Sequence, residues 1–177
     1  MRRRLLSADD ITGTIRRLSA AVAERNQGVE NLVLIGIQRR GVPLAQRIAS
    51  ELSRAGRQAV SVGSIDITLY RDDLQLVAET PLVRGSNISF DINGKTVVLV
   101  DDVIFTGRTV RAALTELLDF GRPRMVQLLV LVDRGHRELP IQPDFVGRVV
   151  KTRRNDLVDI YLREVDGRDE VILARKG

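Results

Sequence analysis

Val97-Val98-Leu99-Val100-Asp101-Asp102-Val103-Ile104-Phe105-Thr106-Gly107-Arg108-Thr109 joins an aliphatic run to two adjacent acids and a Thr-Gly-Arg-Thr turn. An unbroken aliphatic run with no polar alternation predicts a strand buried on both faces. The turn predicts a helix start, where main-chain N–H groups without helical partners and two hydroxyls form a pocket for a phosphate dianion. Gly107 lets the main chain approach such a ligand closely. Asp101 and Asp102 cannot serve that anion, because like charges repel. They suit hydroxyl donors, and two carboxylates beside a phosphate cup match the 2- and 3-hydroxyls of a ribose 5-phosphate. A pair of acids that merely caps the helix is the plainer alternative, but one Asp would suffice for it. The loop lacks the Gly-x-Gly-x-x-Gly of a dinucleotide site. Gly36 and Gly41 have the spacing of a triphosphate loop, but Val42-Pro43 stands where Lys-Ser/Thr is required.

Working outward, Ser7 with Asp9 and Asp10 signals a helix start. Ile11, Ile15, Leu18 and Val22 then predict an amphipathic helix over about residues 8–26. Leu32 to Ile37 predicts a second buried strand, Gln38-Arg39-Arg40-Gly41 a turn, and Val42-Pro43 the opening of a helix to about Ser53. Ala59 to Leu69 predicts a strand. Arg71 to Asn87 is polar and aperiodic, the pattern of a long flap over a site. Lys95 to Val100 is the strand feeding the acids, and Val110, Leu114, Leu117 and Leu118 mark the following helix. Met125 to Val132 is another buried strand. Short strands are expected near Phe145–Val150, Val158–Val165 and Glu170–Ala174. Alternation of this kind predicts one α/β domain with a parallel central sheet flanked by helices.

The 177 residues suit a single domain. Cysteine is absent, which excludes disulfides, a thiolate nucleophile and a cysteine zinc site. Asp9 and Asp10 interrupt the opening apolar residues, and no later run approaches the ~18 apolar residues of a membrane span. A cytoplasmic location is expected. The net charge is +5, concentrated in residues 1–60, which hold 11 arginines and 5 acids. Only three cations are lysines, and the arginine fork suits phosphate oxygens.

Residues 97–109 resemble the phosphoribosyl-pyrophosphate motif of type I phosphoribosyltransferases. Asp66-Ile67-Thr68-Leu69-Tyr70-Arg71-Asp72-Asp73, Gly121-Arg122-Pro123 and Asp133-Arg134-Gly135-His136-Arg137-Glu138-Leu139-Pro140 extend the likeness over nearly the whole chain. They point to one branch, the pyrimidine-operon attenuators with uracil phosphoribosyltransferase activity. The resemblance implies the type I phosphoribosyltransferase fold, with a small hood at about 133–155 and a flexible flap at about 70–87. It implies that uracil and phosphoribosyl pyrophosphate give uridine monophosphate (UMP) and pyrophosphate, with Mg2+ bound mainly through the substrate's phosphates. Val97 to Thr109 would enclose the sugar phosphate, with Asp101, Asp102 and Arg71 as the catalytic groups. Arg39, Arg40 and Gly41 would meet the pyrophosphate, and Asp133, Arg134, Phe145 and Val146 would cover the base. His136, the lone histidine, is expected to be structural.

The same resemblance implies binding of pyrimidine-operon leader RNA through Arg16, Arg17, Arg25, Arg137 and Arg148, promoted by UMP, and assembly as a homodimer or higher homo-oligomer. Ala20, Gln142, Phe105 and Val150-Lys151-Thr152-Arg153-Arg154 depart from the branch's usual residues, although Lys151, Arg153 and Arg154 restore positive charge. Two alternatives follow from the same motif: a purine phosphoribosyltransferase, and an RNA-binding regulator without significant catalysis.

Overall fold

The computed structural model describes residues 1–68 and 85–175. Its elements run β1 (Arg2–Leu6), α1 (Ala8–Arg25), β2 (Leu32–Ile37), α2 (Gly41–Gly56), β3 (Ser61–Ile65), β4 (Thr96–Ile104), α3 (Arg108–Leu118), β5 (Met125–Asp133), β6 (Phe145–Val149), β7 (Leu157–Tyr161), α4 (Arg163–Asp166) and β8 (Glu170–Ala174). The central sheet has five parallel strands in the order β3-β2-β4-β5-β6. β2 and β4 at its middle read as aliphatic runs because helices cover both faces. One face packs Leu34, Val98, Val100 and Leu129 against Ile15, Leu18 and Val22 of α1 and Leu44 and Ile48 of α2. The other packs Ile35, Val97, Leu99 and Val130 against Val110, Ala113 and Leu117 of α3.

α1 begins on a capping box in which the Ser7 hydroxyl accepts from the Asp10 N–H and the Asp10 carboxylate accepts from the Ser7 N–H. Its last turn meets the sheet through a reciprocal amide pair, Asn26 with Gln127, at 2.9 and 3.0 Å. α1 seats closely on β6 because Gly147 has no side chain there; a Cβ at that position would stand 2.8 Å from the Thr14 methyl.

Two expectations need correction, and one strand has no counterpart in the sequence reading. Arg2–Leu6 forms a strand, which no local pattern suggests, because its partner β8 lies at the other end of the chain. The strand feeding the acids does not stop at Val100. β5 pairs with it as far as Ile104, so Asp101 and Asp102 lie inside β4. The span 158–165 is not one strand: β7 ends at Tyr161 and α4 follows, since Asp166 folds back to accept the Leu162 N–H at 2.8 Å.

β1, β8 and β7 form a second, antiparallel sheet. Ion pairs tie it to the core. Arg47 of α2 donates to both Glu164 oxygens at 2.8 and 2.6 Å and to both Asp169 oxygens at 3.0 and 2.7 Å. Its fork geometry allows both pairings at once.

Candidate active site

β2, β4 and β5 run parallel, so their carboxyl ends bring three turns to one sheet edge: 38–41, 104–108 and 134–141. Open α/β sheets bind ligands at that edge. A cleft of about 340 Å³ lies at the opposite edge, lined by Asn31, Leu32 and Lys95 before β2 and β4. Its size does not make it the site, since the paired acids stand at the other end.

Asp101 is buried, and its carboxylate accepts the Asp102 N–H at 2.8 Å. Asp102 is half-buried and accepts the Val103 N–H at 2.8 Å. Burial pushes both carboxyls up from the ordinary value of 3.8, and the Asp102 charge adds to the rise at Asp101. The Arg40 guanidinium pulls Asp102 the other way. Buried acids that lack a bonded cation are costly to a fold, and strongly perturbed carboxyls at a strand end are candidates for chemistry.

Beyond them, Gly107 takes the left-handed conformation, φ 92°, and leads into α3, whose start has no side-chain cap. A start without an N-cap side chain leaves first-turn N–H groups beyond that of Arg108 to a ligand. The Thr106 carbonyl accepts from the Glu138 and Leu139 N–H groups at 2.9 and 3.2 Å. The Thr106 hydroxyl oxygen lies 3.3 Å from the Arg108 N–H. Thr109 is exposed.

The 38–41 turn lies against Asp101 because two glycines permit it. A Cβ on Gly36 would meet Val42, and one on Gly41 would strike the Val100 carbonyl oxygen. The Gln38–Arg39 peptide is cis. Gln38, not singled out from sequence, donates its side-chain amide to the Gly85 carbonyl at 2.8 Å. The Ser64–Asn87 bridge and the Asp66 N–H donation to the Ser86 hydroxyl at 2.8 Å tie the same segment to the end of β3. Residues 85–87 therefore root beside the turn. Arg71 and the rest of the expected flap lie outside the described residues.

Arg39 is exposed, and its guanidinium has no ion pair with a described residue. Arg40 forks onto Asp166 at 3.1 and 2.8 Å. Nothing in the local sequence signals that partner, 126 residues away.

The four expected hood residues are not brought together. Asp133 accepts from Arg137 at 2.7 Å at the end of β5. Arg134 is buried, lies 4.0 Å from the Phe105 ring centroid and donates to the carbonyls of Arg153 and Arg154. Phe145 and Val146 sit lower in the sheet, level with Leu129 and Val130, and Phe145 belongs to the core beneath α1. The His136 Nε2–H donates to the Thr152 carbonyl at 2.8 Å, since a carbonyl can only accept, and the ring edge meets Phe105. His136 thus pins the 134–141 turn to residue 152.

Of the five expected RNA-facing arginines, Arg16, Arg17 and Arg25 lie exposed on α1 and Arg148 on β6. α1 packs on β6. Arg17 donates to the Val146 and Gly147 carbonyls, Arg148 to Leu5, and Arg25 pairs with Asp144 at 3.1 Å. Arg137 departs from the group. Its side chain is 13% exposed and committed to Asp133, the Phe105 and Ile141 carbonyls and Gln142, so it braces the turn from within.

An acid pair at the carboxyl edge of the sheet and a left-handed glycine that leads into a helix start stand together, the arrangement expected of a sugar-phosphate site. The family described as Phosphoribosyl transferase domain matches residues 4–156, and the chain belongs to it. Among solved structures, a hypoxanthine phosphoribosyltransferase from Trypanosoma cruzi covers 97% of this chain, with 94% of its own length matched, at 20% identity and a TM-score of 0.75. One from Staphylococcus aureus gives 98% and 92%, 20% identity and a TM-score of 0.71. Likeness at that identity establishes the fold alone. The chain is far more similar to the proteins named Bifunctional protein PyrR. That of Roseiflexus sp. (strain RS-1) is 55% identical, with 98% of this chain and 95% of that one covered. That of Clostridioides difficile (strain 630) is 52% identical, with 96% of each covered.

Proposed function

We propose that the chain transfers the phosphoribosyl group of phosphoribosyl pyrophosphate to uracil, releasing UMP and pyrophosphate. We also propose that it binds pyrimidine-operon leader RNA, promoted by UMP, to favour transcription termination. The observation that carries the first role is the placement of Asp101 and Asp102 near the carboxyl end of β4, on the strand that leads through Gly107 into α3. In this reading the acids take the ribose hydroxyls, residues 106–109 enclose the 5-phosphate, and the 38–41 turn faces the leaving pyrophosphate. As the bond to pyrophosphate breaks, positive charge grows on the sugar beside the two carboxylates, where preorganised charge has its greatest effect.

Mg2+ fits the same donor set. Two adjacent carboxylates could hold it together with substrate oxygens and waters, the usual manner for this ion with phosphates. Bound there, it would supply positive charge against the pyrophosphate. Both proposed roles belong to the cytoplasm. Among the described residues, no helix is long and apolar enough to cross a membrane.

The test is turnover in magnesium with uracil and with hypoxanthine. Pyrophosphate release with uracil and not with hypoxanthine is expected. Release with hypoxanthine alone would make the chain a purine enzyme, and release with neither would leave only the regulator.

For RNA, the α1–β6 face supplies Arg16, Arg17, Arg25 and Arg148. A guanidinium carries five donors, so the carbonyl bonds of Arg17 and Arg148 orient those side chains without using them up. Replacing Arg17 and Arg148 with alanine should weaken binding of a uridine-loop hairpin. The slope of log affinity against log salt should fall by about 0.7 for each single-strand phosphate that the variant no longer neutralises. A gel-shift titration across salt concentrations, with and without UMP, reads both. An unchanged slope would remove this face from the interface. A homodimer or higher assembly, which sedimentation would report, would extend the same surface.

A further inference from the structure

The two arginines of the 38–41 turn differ in their surroundings. Arg39 is exposed and makes no close ion pair among the described residues, although its charge reaches the Asp166 carboxylate. Arg40 is held by two of its nitrogens on one carboxylate, Nε on Oδ2 and Nη2 on Oδ1 of Asp166. That carboxylate belongs to α4, between β7 and β8 of the second sheet. Its side chain is 14% exposed and Arg40's is 33%, so the pair is partly shielded from water. Asp166 is fixed in turn, because its Oδ2 also accepts the Leu162 N–H at 2.8 Å. Two-point contact between planar groups sets direction as well as distance.

From this division we infer that Asp166 is the positioning residue of the leaving-group turn. It anchors Arg40, and through it the main chain of 38–41, so that Arg39 and the turn's amides meet the pyrophosphate. Arg40 acts on the substrate through the turn it holds rather than by its own fork. The inference rests on the phosphoribosyltransferase reading above and refines the role of one arginine in it. The anchor also joins the second sheet directly to the site, since the turn lies against Asp101 through Gly41.

The experiment is steady-state kinetics on the full chain. Asp166→Asn keeps an oxygen for the Leu162 N–H and removes the charge that holds Arg40. Its Michaelis constant for phosphoribosyl pyrophosphate and the inhibition constant of pyrophosphate should both rise roughly tenfold, the lower end of what loss of an orienting partner costs. The Michaelis constant for uracil should stay within about twofold, since uniform binding of one substrate is what is lost. Arg40→Lys, which keeps the charge but not the fork, should give a smaller rise of the same kind. In an Arg40→Ala background, Asp166→Asn should add nothing.

An Asp166→Asn enzyme with unaltered constants for both phosphorylated ligands overturns the inference. So does an effect that persists undiminished in the Arg40→Ala background, because Asp166 would then act on α4 alone. Arg39→Ala separates a failed anchor from a misplaced site. If it leaves pyrophosphate inhibition unchanged, the pyrophosphate does not lie at this turn, and the site reading itself is at fault.

Discussion

Asp101→Asn is expected to lose turnover by a factor of about 100 to 1,000 and yet to melt at a higher temperature than the parent. The loss follows from removing a fixed negative charge beside a sugar that becomes cationic in the transition state. The gain follows from burial. A carboxyl whose value in the folded chain is raised above its ordinary value of 3.8 costs nothing below that value. Its cost then grows as the pH climbs toward the raised value, because the folded state disfavours the ionised form. Ionising Asp101 therefore works against the fold, and asparagine removes that cost while still accepting the Asp102 N–H. A gain of about 1 kcal/mol, or roughly 2–4 °C in a chain of this size, is the expected scale. The gain should shrink as the pH falls from the raised value toward 3.8, because the folded parent's carboxyl then holds its proton and no longer costs the fold anything. Melting curves from pH 4 to 8 beside a pyrophosphate-release assay measure both halves. A variant that is less stable at neutral pH would show that the acid is not strained, and one that retained turnover would remove it from the chemistry.

Gly41→Ala should be as damaging through geometry alone. The new Cβ would strike the Val100 carbonyl oxygen and stand 3.4 Å from the Asp101 Cα, with only main chain in its way. Main chain of a central strand cannot swing aside as a long side chain can, so the turn must lift. Overpacking of this kind costs about 1–3 kcal/mol. A displacement of about 1 Å at a reacting centre can cost 100-fold in rate. Binding of phosphoribosyl pyrophosphate should fall with the rate, since the moved turn is the proposed seat of the leaving group. Isothermal titration with the substrate and a melting curve test the pair of effects. Parent-like affinity would show that the turn does not need its close approach to β4.

Much of the central layer is legible in the sequence because its strands are local statements. Leu32–Ile37 and Val97–Val100 are aliphatic without alternation, which only a strand covered on both faces requires. Ser7, Asp9 and Asp10 announce α1, and Gly107 its counterpart before α3. The second sheet is not legible, because no local pattern says that Arg2–Leu6 will find Glu170–Ala174. A strand's continuation is also a property of its neighbour. Asp101 and Asp102 sit inside β4 because β5 pairs beyond them, against their own weak strand preference. Arginines expose the same limit at the site. Arg39, Arg40 and Arg137 look alike as letters, yet one is exposed, one is clasped by Asp166 and one is turned inward against Asp133. Only tertiary partners distinguish them.

The pairing of β1 with β8 and the clasps of Arg40 and Arg47 on α4 also set an order of events during folding. Residues 1–56 cannot complete their packing until residues 163–174 have been synthesised and have returned to them. Pairings of such sequence separation form late, because the intervening chain must first be ordered. On a translating ribosome the central layer can assemble early, while the 38–41 turn waits for the last strands to dock. Until then the nascent polypeptide holds Asp101, Asp102 and the start of α3, but Arg40 of the 38–41 turn has not yet met Asp166.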